Sequence, residues 1–328
     1  MTHYTTSTES ASSSVELIPS QPSYSLATIS SPSTADLMAR WIAYVDRTPK
    51  TIATYTRAVR QFSQYLAERG IAQPTRETIL EYKRDLKSKG LKPSTINSYL
   101  ESLRLFYGWA EIEGLYKNIA KNIHGEKQSR DYKKDYLTAD QCKDLLGRID
   151  RSTAQGKRDY AMACVMIVCG LRTIEVSRAN VEDIGKAGGS SVIYVQGKGR
   201  EDRAEYVKLP SLAERAIREY LATRGQLEGS APLFASTSHN SAGQRMTTRS
   251  ISGIIKSLMV GAGFNDSKHT AHSLRHTAVS LALIANHGNI QEAQQFARHR
   301  NIATTILYAH NLERGKNTCA DSIAQALI

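Results

Sequence analysis

Cysteine is scarce in this chain, and the positions of the cysteines argue against both a disulfide-stabilised domain and a zinc-stabilised domain. Only four cysteines occur among 328 residues. Cys142, Cys164, Cys169 and Cys319 form no Cys-x-x-Cys pair, and no histidine lies at zinc-ligand spacing from them. A disulfide framework or a structural zinc site is therefore not indicated, and we expect buried, reduced thiols in a cytoplasmic protein.

Long apolar runs and nucleotide-binding motifs are also missing. No stretch approaches the length of a membrane span, and the N-terminus lacks the basic start and apolar core of a signal peptide. The chain contains no GxxxxGK[ST] loop and no compact carboxylate cluster that would suit two metal ions. We expect no membrane partner, no nucleotide and no metal cofactor.

Negative charge is the minority sign. The 43 Lys and Arg residues outnumber the 31 Asp and Glu residues, which gives a net charge of +12. Residues 1–32 contain two glutamates and no Lys or Arg, so the positive excess lies entirely in the rest of the chain. Such a surface attracts polyanions, and double-stranded DNA is the expected partner. The alternative is a charge that serves only solubility.

Apolar spacing divides the remainder into two domains. Residues 1–32 are rich in Ser, Thr and Pro, and we interpret them as a disordered tail. In residues 33–120, apolar side chains recur every three or four positions in about four segments, the last three of which are each followed by a Gly. This pattern predicts a small helical bundle.

The second domain is predicted to be mainly helical with one small β-hairpin. Residues 121–136 are polar and serve as a linker, and Thr138 with Gln141 forms a capping box that opens the domain at 137–328. Two β-like runs, Val192–Val195 and Tyr206–Leu209, flank a Gly-Lys-Gly loop. The fold class is therefore mainly α with a small β-hairpin or sheet.

Six residues of the second domain could carry chemistry, although each has an ordinary alternative. A surface charge, a solvated turn lysine, a capping histidine or a salt-bridged arginine would explain them singly, and a lone tyrosine among 16 carries little information. They are Arg172, Lys198, His272, Arg275, His299 and Tyr308.

Their joint pattern is more specific. Arg172 in GLRTIEV, Lys198 in GKG, the pair in HSLRH, His299 in ARHRNIATT and Tyr308 nine residues later follow one another in order. This series resembles the six-residue active site of the tyrosine recombinases. The resemblance covers residues 33–328 and includes a Thr-x-x-x-Tyr in the first domain, which looks like the core-binding domain of that family.

The resemblance implies a site-specific recombinase that cleaves and rejoins DNA through a covalent 3′-phosphotyrosine. Tyr308 would be the nucleophile, with Arg172 and Arg275 on the phosphate. His272 would be the candidate base, His299 a hydrogen-bond donor to the phosphate, and Lys198 the acid that protonates the leaving 5′ oxygen. Guanidinium groups suit this task because they are always charged and can hold two oxygens at once.

The chain departs from the family pattern in two places. Many members have Leu-Gly before the histidine, whereas this chain has Ala297 and Arg298. Larger phage integrases carry a basic N-terminal domain, which the sequence of residues 1–32 does not resemble. The chain is therefore similar to the shorter recombinases of the Xer or transposon type.

Two polar clusters of the first domain are candidates for DNA contact. They lie on the second helix and at the start of the fourth, although an ordinary solvated face is the alternative for each residue. The candidates are Lys50, Thr54, Arg57 and Gln61 on the second helix, and Lys92, Ser94, Thr95 and Asn97 on the fourth.

The resemblance also predicts a homotetramer on paired sites, with the terminal helix docked on a neighbouring subunit, and it allows a directionality factor. Ile323, Ala324, Leu327 and Ile328 form a short apolar stripe that suits such docking. Integration of a mobile element is the favoured role. The alternatives are chromosome-dimer resolution, a type IB topoisomerase, and a helical DNA-binding protein without activity.

Overall fold

The computed structural model describes residues 34–127, 136–197, 205–309 and 319–327. The tail predicted at 1–32, and half of the linker predicted at 121–136, lie outside these ranges. Tertiary contacts divide the chain into two units, 1–128 and 129–328. Within the described ranges, none of the helices has the length and apolarity needed to cross a membrane.

The first unit is a helical bundle, as predicted. Its helices are α1 Thr34–Tyr44, α2 Pro49–Glu68, α3 Arg76–Ser88 and α4 Pro93–Ile112. Proline opens α2 and α4, where its missing N–H is not needed for a helical hydrogen bond. Gly70 follows α2 with φ of 63°, a left-handed conformation that favours glycine.

Aromatic side chains fill the core of the first unit. Phe62 of α2 packs edge-on against Tyr82 of α3, with ring centroids 5.0 Å apart, and a second edge-on contact joins Phe62 to Tyr107 of α4. Trp41 of α1 is 1% exposed and meets Phe106. These contacts join all four helices, so the polar faces of α2 and α4 remain outside the core.

The second unit is also mainly helical, with a small antiparallel sheet. Its helices are α5 Ala139–Gly147, α6 Ala154–Val168, α7 Thr173–Arg178, α8 Ser211–Leu221, α9 Thr248–Gly261, α10 Ala271–Ala285, α11 Ile290–Ala297, α12 Ile302–Ala309 and α13 Cys319–Ala326. The strands are β1 Ile184–Ala187, β2 Ser190–Val195 and β3 Glu205–Lys208, in the order β1-β2-β3.

The sheet is larger than the sequence pattern indicated. The predicted hairpin corresponds to β2 and β3, in register with Tyr194 opposite Tyr206. β1 was missed because Ile184-Gly-Lys-Ala187 contains one large apolar side chain and no alternation. It pairs with β2 through a turn at Gly188 and Gly189, which both have positive φ.

Helix α6 is the centre of the second unit. Its side chains from Ala161 to Met166 are at most 1% exposed, so the helix is buried on every side. Cys142, Cys164 and Cys169 are buried and unpaired, as expected. The predicted capping box of α5 is present, because Thr138 and Gln141 exchange side chain to backbone hydrogen bonds. The well-packed α6 gives the residues that follow its C-terminus a rigid support.

Candidate active site

Arg172 stands at the junction between α6 and α7. Gly170 ends α6 with φ of 61°, and a side chain at this position would meet the ring of Phe296 at 3.1 Å. Arg172 then precedes the first residue of α7, and its backbone N–H donates to the carboxylate of Glu175 at 2.8 Å. The chain reversal at Gly170 therefore brings Arg172 out of the core onto an accessible surface.

Helix α10 supplies the second arginine. Arg275 is 2% exposed, and its guanidinium donates to the carbonyl oxygens of Gly170 and Ala297. These two carbonyls end α6 and α11, so Arg275 fastens three helices together. His272 lies one turn earlier on α10 and is exposed, with its ring 4.4 Å from that of His276.

The third group of residues comes from the turn between α11 and α12. His299 follows α11, and its Nδ1 lies 3.0 Å from the hydroxyl of Thr305, which is fully buried. Tyr308 of α12 is 4% exposed and packs against apolar side chains of α10 and α11. Its ring lies 5.7 Å from His299 and 5.0 Å from His276. Tyr308, on α12, is thereby held against side chains of α10 and α11 and against the ring of His299.

A buried carboxylate links the arginines. Glu175 accepts from Nη1 of Arg172 at 2.6 Å and from Nη2 of Arg298 at 2.7 Å. Burial by itself raises the pKa of Glu175. The charge of Arg298, then the backbone N–H and the charge of Arg172, lower it by more, so the net pKa lies below its usual value. Glu175 therefore stays ionised as the internal counter-ion of the cluster.

The protonation states of the ring side chains follow from burial and from the same cations. Burial raises the pKa of Tyr308, while the charges of Arg275 and Arg172 partly offset that rise. Burial, with Arg275 next, lowers the pKa of His299 to about 4. Tyr308 is consequently protonated and His299 neutral at pH 7, so attack by the tyrosine oxygen requires a proton acceptor.

Burial of His276 should make the stability of the protein sensitive to acid. Its pKa is lowered to about 4 from 6.5. Between these values the unfolded chain binds the extra proton, so stability should fall as pH drops through this window, by up to about 1.4 kcal/mol per pH unit. We expect the free energy of unfolding, measured with urea, to fall less between pH 7 and pH 5 in His276→Gln than in wild type.

The matched control for this measurement is His239→Gln, because His239 is exposed. Its pH dependence should equal that of wild type. An unchanged pH dependence in His276→Gln would show that His276 is not the group that responds to acid.

The structure brings together most of the residues singled out from the sequence. Arg172, Arg275, His299 and Tyr308 share one cluster. His272 lies at the edge of this cluster, because its ring contacts His276, which in turn contacts Tyr308. Lys198 lies outside the described residues. Gly197, just before it, accepts a hydrogen bond from Nη1 of Arg178 at 3.0 Å, which joins the end of the hairpin stem to α7.

Sequence reasoning missed three members of the cluster. Glu175 lies in the GLRTIEV motif and was not among the six candidates, although its position three residues after Arg172 is a signal for a side-chain pair. His276 follows Arg275 directly and had no separate signal. Arg298 was noted as a departure from the family pattern, and no local pattern indicated that its side chain turns inward.

The DNA-contact candidates of the first unit differ in their availability. Lys50, Thr54, Arg57 and Gln61 are exposed on α2, as are Lys92 and Ser94 at the start of α4, whereas Thr95 is half-buried. Arg60, which the sequence reasoning omitted, is exposed and lines the same groove as Arg57.

Asn97 has a different environment. Its amide accepts from the backbone N–H of Glu126 at 2.7 Å and donates to the Glu126 carbonyl at 2.9 Å. These two bonds occupy the side chain with a contact inside its own unit, so we leave Asn97 out of the proposed DNA surface.

A tyrosine hydroxyl in the field of two guanidinium groups suits attack on a phosphodiester, because charge that develops on the phosphoryl oxygens meets fixed cations. The helical fold and this chemistry define a DNA strand-cleaving enzyme. Comparison with known proteins agrees. Residues 135–314 match the phage integrase family, and residues 39–114 match the phage integrase N-terminal SAM-like domain.

The chain therefore belongs to the phage integrase family, whose tyrosine recombinases cleave and rejoin DNA through a covalent tyrosine intermediate. It is 31% identical to tyrosine recombinase XerC of Pelobacter propionicus over 80% of this chain and 85% of the relative. It is 26% identical to tyrosine recombinase XerD of Listeria innocua over 79% and 87% of the two chains.

Solved structures show the same fold. XerH recombinase bound to its palindromic difH substrate superposes with a TM-score of 0.69 at 21% identity, covering 89% of this chain and 85% of that one. The Tn1549 transposon integrase in complex with a circular intermediate DNA gives 0.67 at 19% identity, covering 89% and 98%. The prediction of a tyrosine recombinase with a mainly helical fold is confirmed.

Proposed function

We propose that Tyr308 is the nucleophile of this recombinase and that Arg172, Arg275 and His299 hold the scissile phosphate. The observation that carries the proposal is geometric: the Tyr308 ring stacks on His299 at 5.7 Å, and Arg172 and Arg275 both donate to carbonyls of the turn just before His299. The charges of these two arginines also oppose the rise of the Tyr308 pKa. A phenol oxygen that loses its proton here is stabilised by the same two cations that would bind phosphoryl oxygens. His299, neutral at pH 7, can donate one ring N–H to the phosphate.

The proposed step is a transesterification. The Tyr308 oxygen forms a bond to phosphorus, the bond from phosphorus to the 5′ oxygen breaks, and the protein is left joined to the 3′ phosphate. The tyrosine proton passes to His272, the exposed histidine of the cluster, and Lys198 protonates the departing 5′ oxygen. Attack of a 5′ hydroxyl on the phosphotyrosine reverses the step, so rejoining requires no nucleotide.

Covalent trapping tests this proposal. The probe is a duplex selected by binding to this protein from a randomised library, with single nicks placed at successive positions so that cleavage releases a short strand. We expect a covalent protein–DNA product that forms in excess EDTA and without nucleotide, because charge stabilisation comes from side chains. A strict requirement for magnesium in cleavage, with DNA binding unaffected, would contradict the mechanism.

The first unit is proposed to contact the DNA as well. The exposed faces of α2 and α4 carry Lys50, Arg57, Arg60 and Lys92, which suit phosphate contact. We propose that the domain limits are 33–120 for this core-binding domain, 121–136 for the linker and 137–328 for the catalytic domain. Action in the cytoplasm accords with the bacterial relatives and with their DNA substrates.

We further propose that four copies assemble on two sites and that α13 joins neighbouring subunits. Ile323 of α13 is 61% exposed and Leu327 is 82% exposed. A short helix with uncovered apolar side chains gains stability by packing on another surface. XerH, the Tn1549 integrase and lambda integrase have all been solved in complex with DNA, and the lambda enzyme as a dimer on a core site.

Removal of residues 318–328 should separate binding from assembly. We expect the truncated protein to bind one selected site within roughly threefold of wild-type affinity, but to lose most of the paired-site complex, because the apolar contact between subunits is gone. Gel mobility of DNA with one and with two sites measures both quantities. A paired-site complex that forms as well with the truncated protein as with wild type, and an unchanged yield of recombinant DNA, would refute the role of α13.

The biological role proposed is integration and excision of a mobile element, with a directionality factor as a possible partner. The transposon integrase and the Xer recombinases share this fold, and the XerC and XerD relatives make chromosome-dimer resolution the second candidate. The DNA around the gene distinguishes them. Recombination sites at the ends of a segment that carries the gene indicate a mobile element, and a single distant chromosomal site indicates dimer resolution.

A further inference from the structure

Arg298 occupies a backbone position that favours glycine. It ends α11 with φ of 52° and ψ of 46°, in the left-handed region. A residue with a side chain costs conformational free energy there. The contacts of the Arg298 side chain suggest what offsets that cost.

The Arg298 side chain points into the protein. Its side chain is 6% exposed, although it is charged. Nη1 donates to the carbonyl of Phe296 at 3.0 Å. Nη2 donates to the carbonyl of Gly170 at 3.3 Å and to Oε2 of Glu175 at 2.7 Å. Arg298 therefore connects the turn before His299 with the junction that carries Arg172.

Glu175 is the group that needs a cation. Its carboxylate is fully buried, whereas the side chain of Arg172 is 29% exposed. A buried carboxylate without a paired cation is strongly destabilised. If Arg172 were its only paired arginine, movement of that guanidinium toward DNA would leave the carboxylate uncompensated. With Arg298 on Oε2 and the Arg172 backbone N–H on the same oxygen, Glu175 remains compensated.

We propose that Arg298 is a positioning residue that neutralises Glu175, so that the positive charge of Arg172 remains available to the scissile phosphate. The proposal rests on the proposed role of Arg172 in binding that phosphate. Arg298 itself touches no reacting atom in this scheme. It acts through one carboxylate, and this makes its effect conditional on the charge of Glu175.

Four proteins test that condition: wild type, Arg298→Gln, Glu175→Gln and the double variant. Single-turnover covalent trapping at saturating selected duplex gives the rate, and titration gives the affinity for DNA. We expect Arg298→Gln to lower the trapping rate on the order of 30-fold with affinity nearly unchanged, because Glu175 then holds Arg172.

The decisive comparison is the cost of the same change when Glu175 is neutral. In the Glu175→Gln background, Arg298→Gln should cost less than roughly threefold, since no carboxylate remains to capture Arg172. Arg298→Lys, which keeps the charge, should restore part of the rate lost in Arg298→Gln. Arg148→Gln removes an arginine from an exposed pair with Asp144 at the end of α5 and should leave the rate unchanged.

An equal cost of Arg298→Gln in both backgrounds, or no cost in either, would overturn the proposal and indicate a role in closing the turn alone. If Arg298→Gln proves unfolded, Arg298→Gly, which also removes the charge and suits the left-handed backbone at this position, provides the same comparison in the two backgrounds. Wild-type protein that forms no covalent product would instead refute the proposed function, so the two failures are distinguishable.

Discussion

Tyr308→Phe is expected to abolish the covalent protein–DNA product while DNA affinity stays within roughly twofold of wild type. The substitution removes one oxygen atom, which is the only atom of this side chain able to bond to phosphorus. The ring contacts with Val279, Leu283 and the neighbouring helices remain, because phenylalanine has the same apolar shape. Covalent trapping on the nicked selected duplex and a binding titration measure the two quantities.

The control is Tyr160→Phe, which removes a hydroxyl from a half-buried tyrosine of α6 stacked under Arg151. It should trap DNA at the wild-type rate. Persistence of the covalent product in Tyr308→Phe would mean that another tyrosine attacks, and mass spectrometry of the attached peptide would identify it.

Arg275→Ala should produce the second largest loss. We expect the trapping rate at saturating DNA to fall by about 10²- to 10³-fold, since a preorganised donor to the phosphoryl oxygens is lost. Stability should fall by about 3 kcal/mol, because the carbonyls of Gly170 and Ala297 lose their buried donor. Arg275→Lys keeps the charge but cannot reach both carbonyls, so it should be intermediate in both measurements.

The matched control is Arg158→Ala. Arg158 is also 2% exposed and bonds to Asp159 and to the carbonyl of Ala235. It lies near the N-terminus of α6, whereas Arg275 bonds to Gly170 just after the C-terminus of that helix. Its loss should destabilise the protein to a similar extent without a comparable loss of rate in the fraction that remains folded. If Arg275→Ala trapped DNA at the wild-type rate, Arg275 would only stabilise the packing of the helices, and its assignment to the phosphate would be wrong.

Much of the candidate site could be predicted from the sequence, because its signals either act within a few residues or consist of motif residues in a recognisable order along the chain. Helix limits follow from apolar spacing and caps, and the box formed by Thr138 and Gln141 spans three residues. The order of Arg172, Arg275 and Tyr308 along the chain could be matched to a family pattern. The same reasoning placed Asn97 on a DNA surface, since a polar residue near a helix start gives no indication of a partner 29 positions away.

By itself, the sequence determined the helical composition and the two-part organisation, and it supplied the residues proposed for phosphodiester chemistry, because caps, periodicity and residue type act within a few positions. Only the tertiary structure decided how those residues are held. Arg275 bonds to a carbonyl 105 positions away and Arg298 to a carboxylate 123 positions away, so their pairing depends on how α6, α10 and α11 pack. Burial in that packing keeps Glu175 charged, His299 neutral and Tyr308 protonated, which no local pattern of residues could indicate.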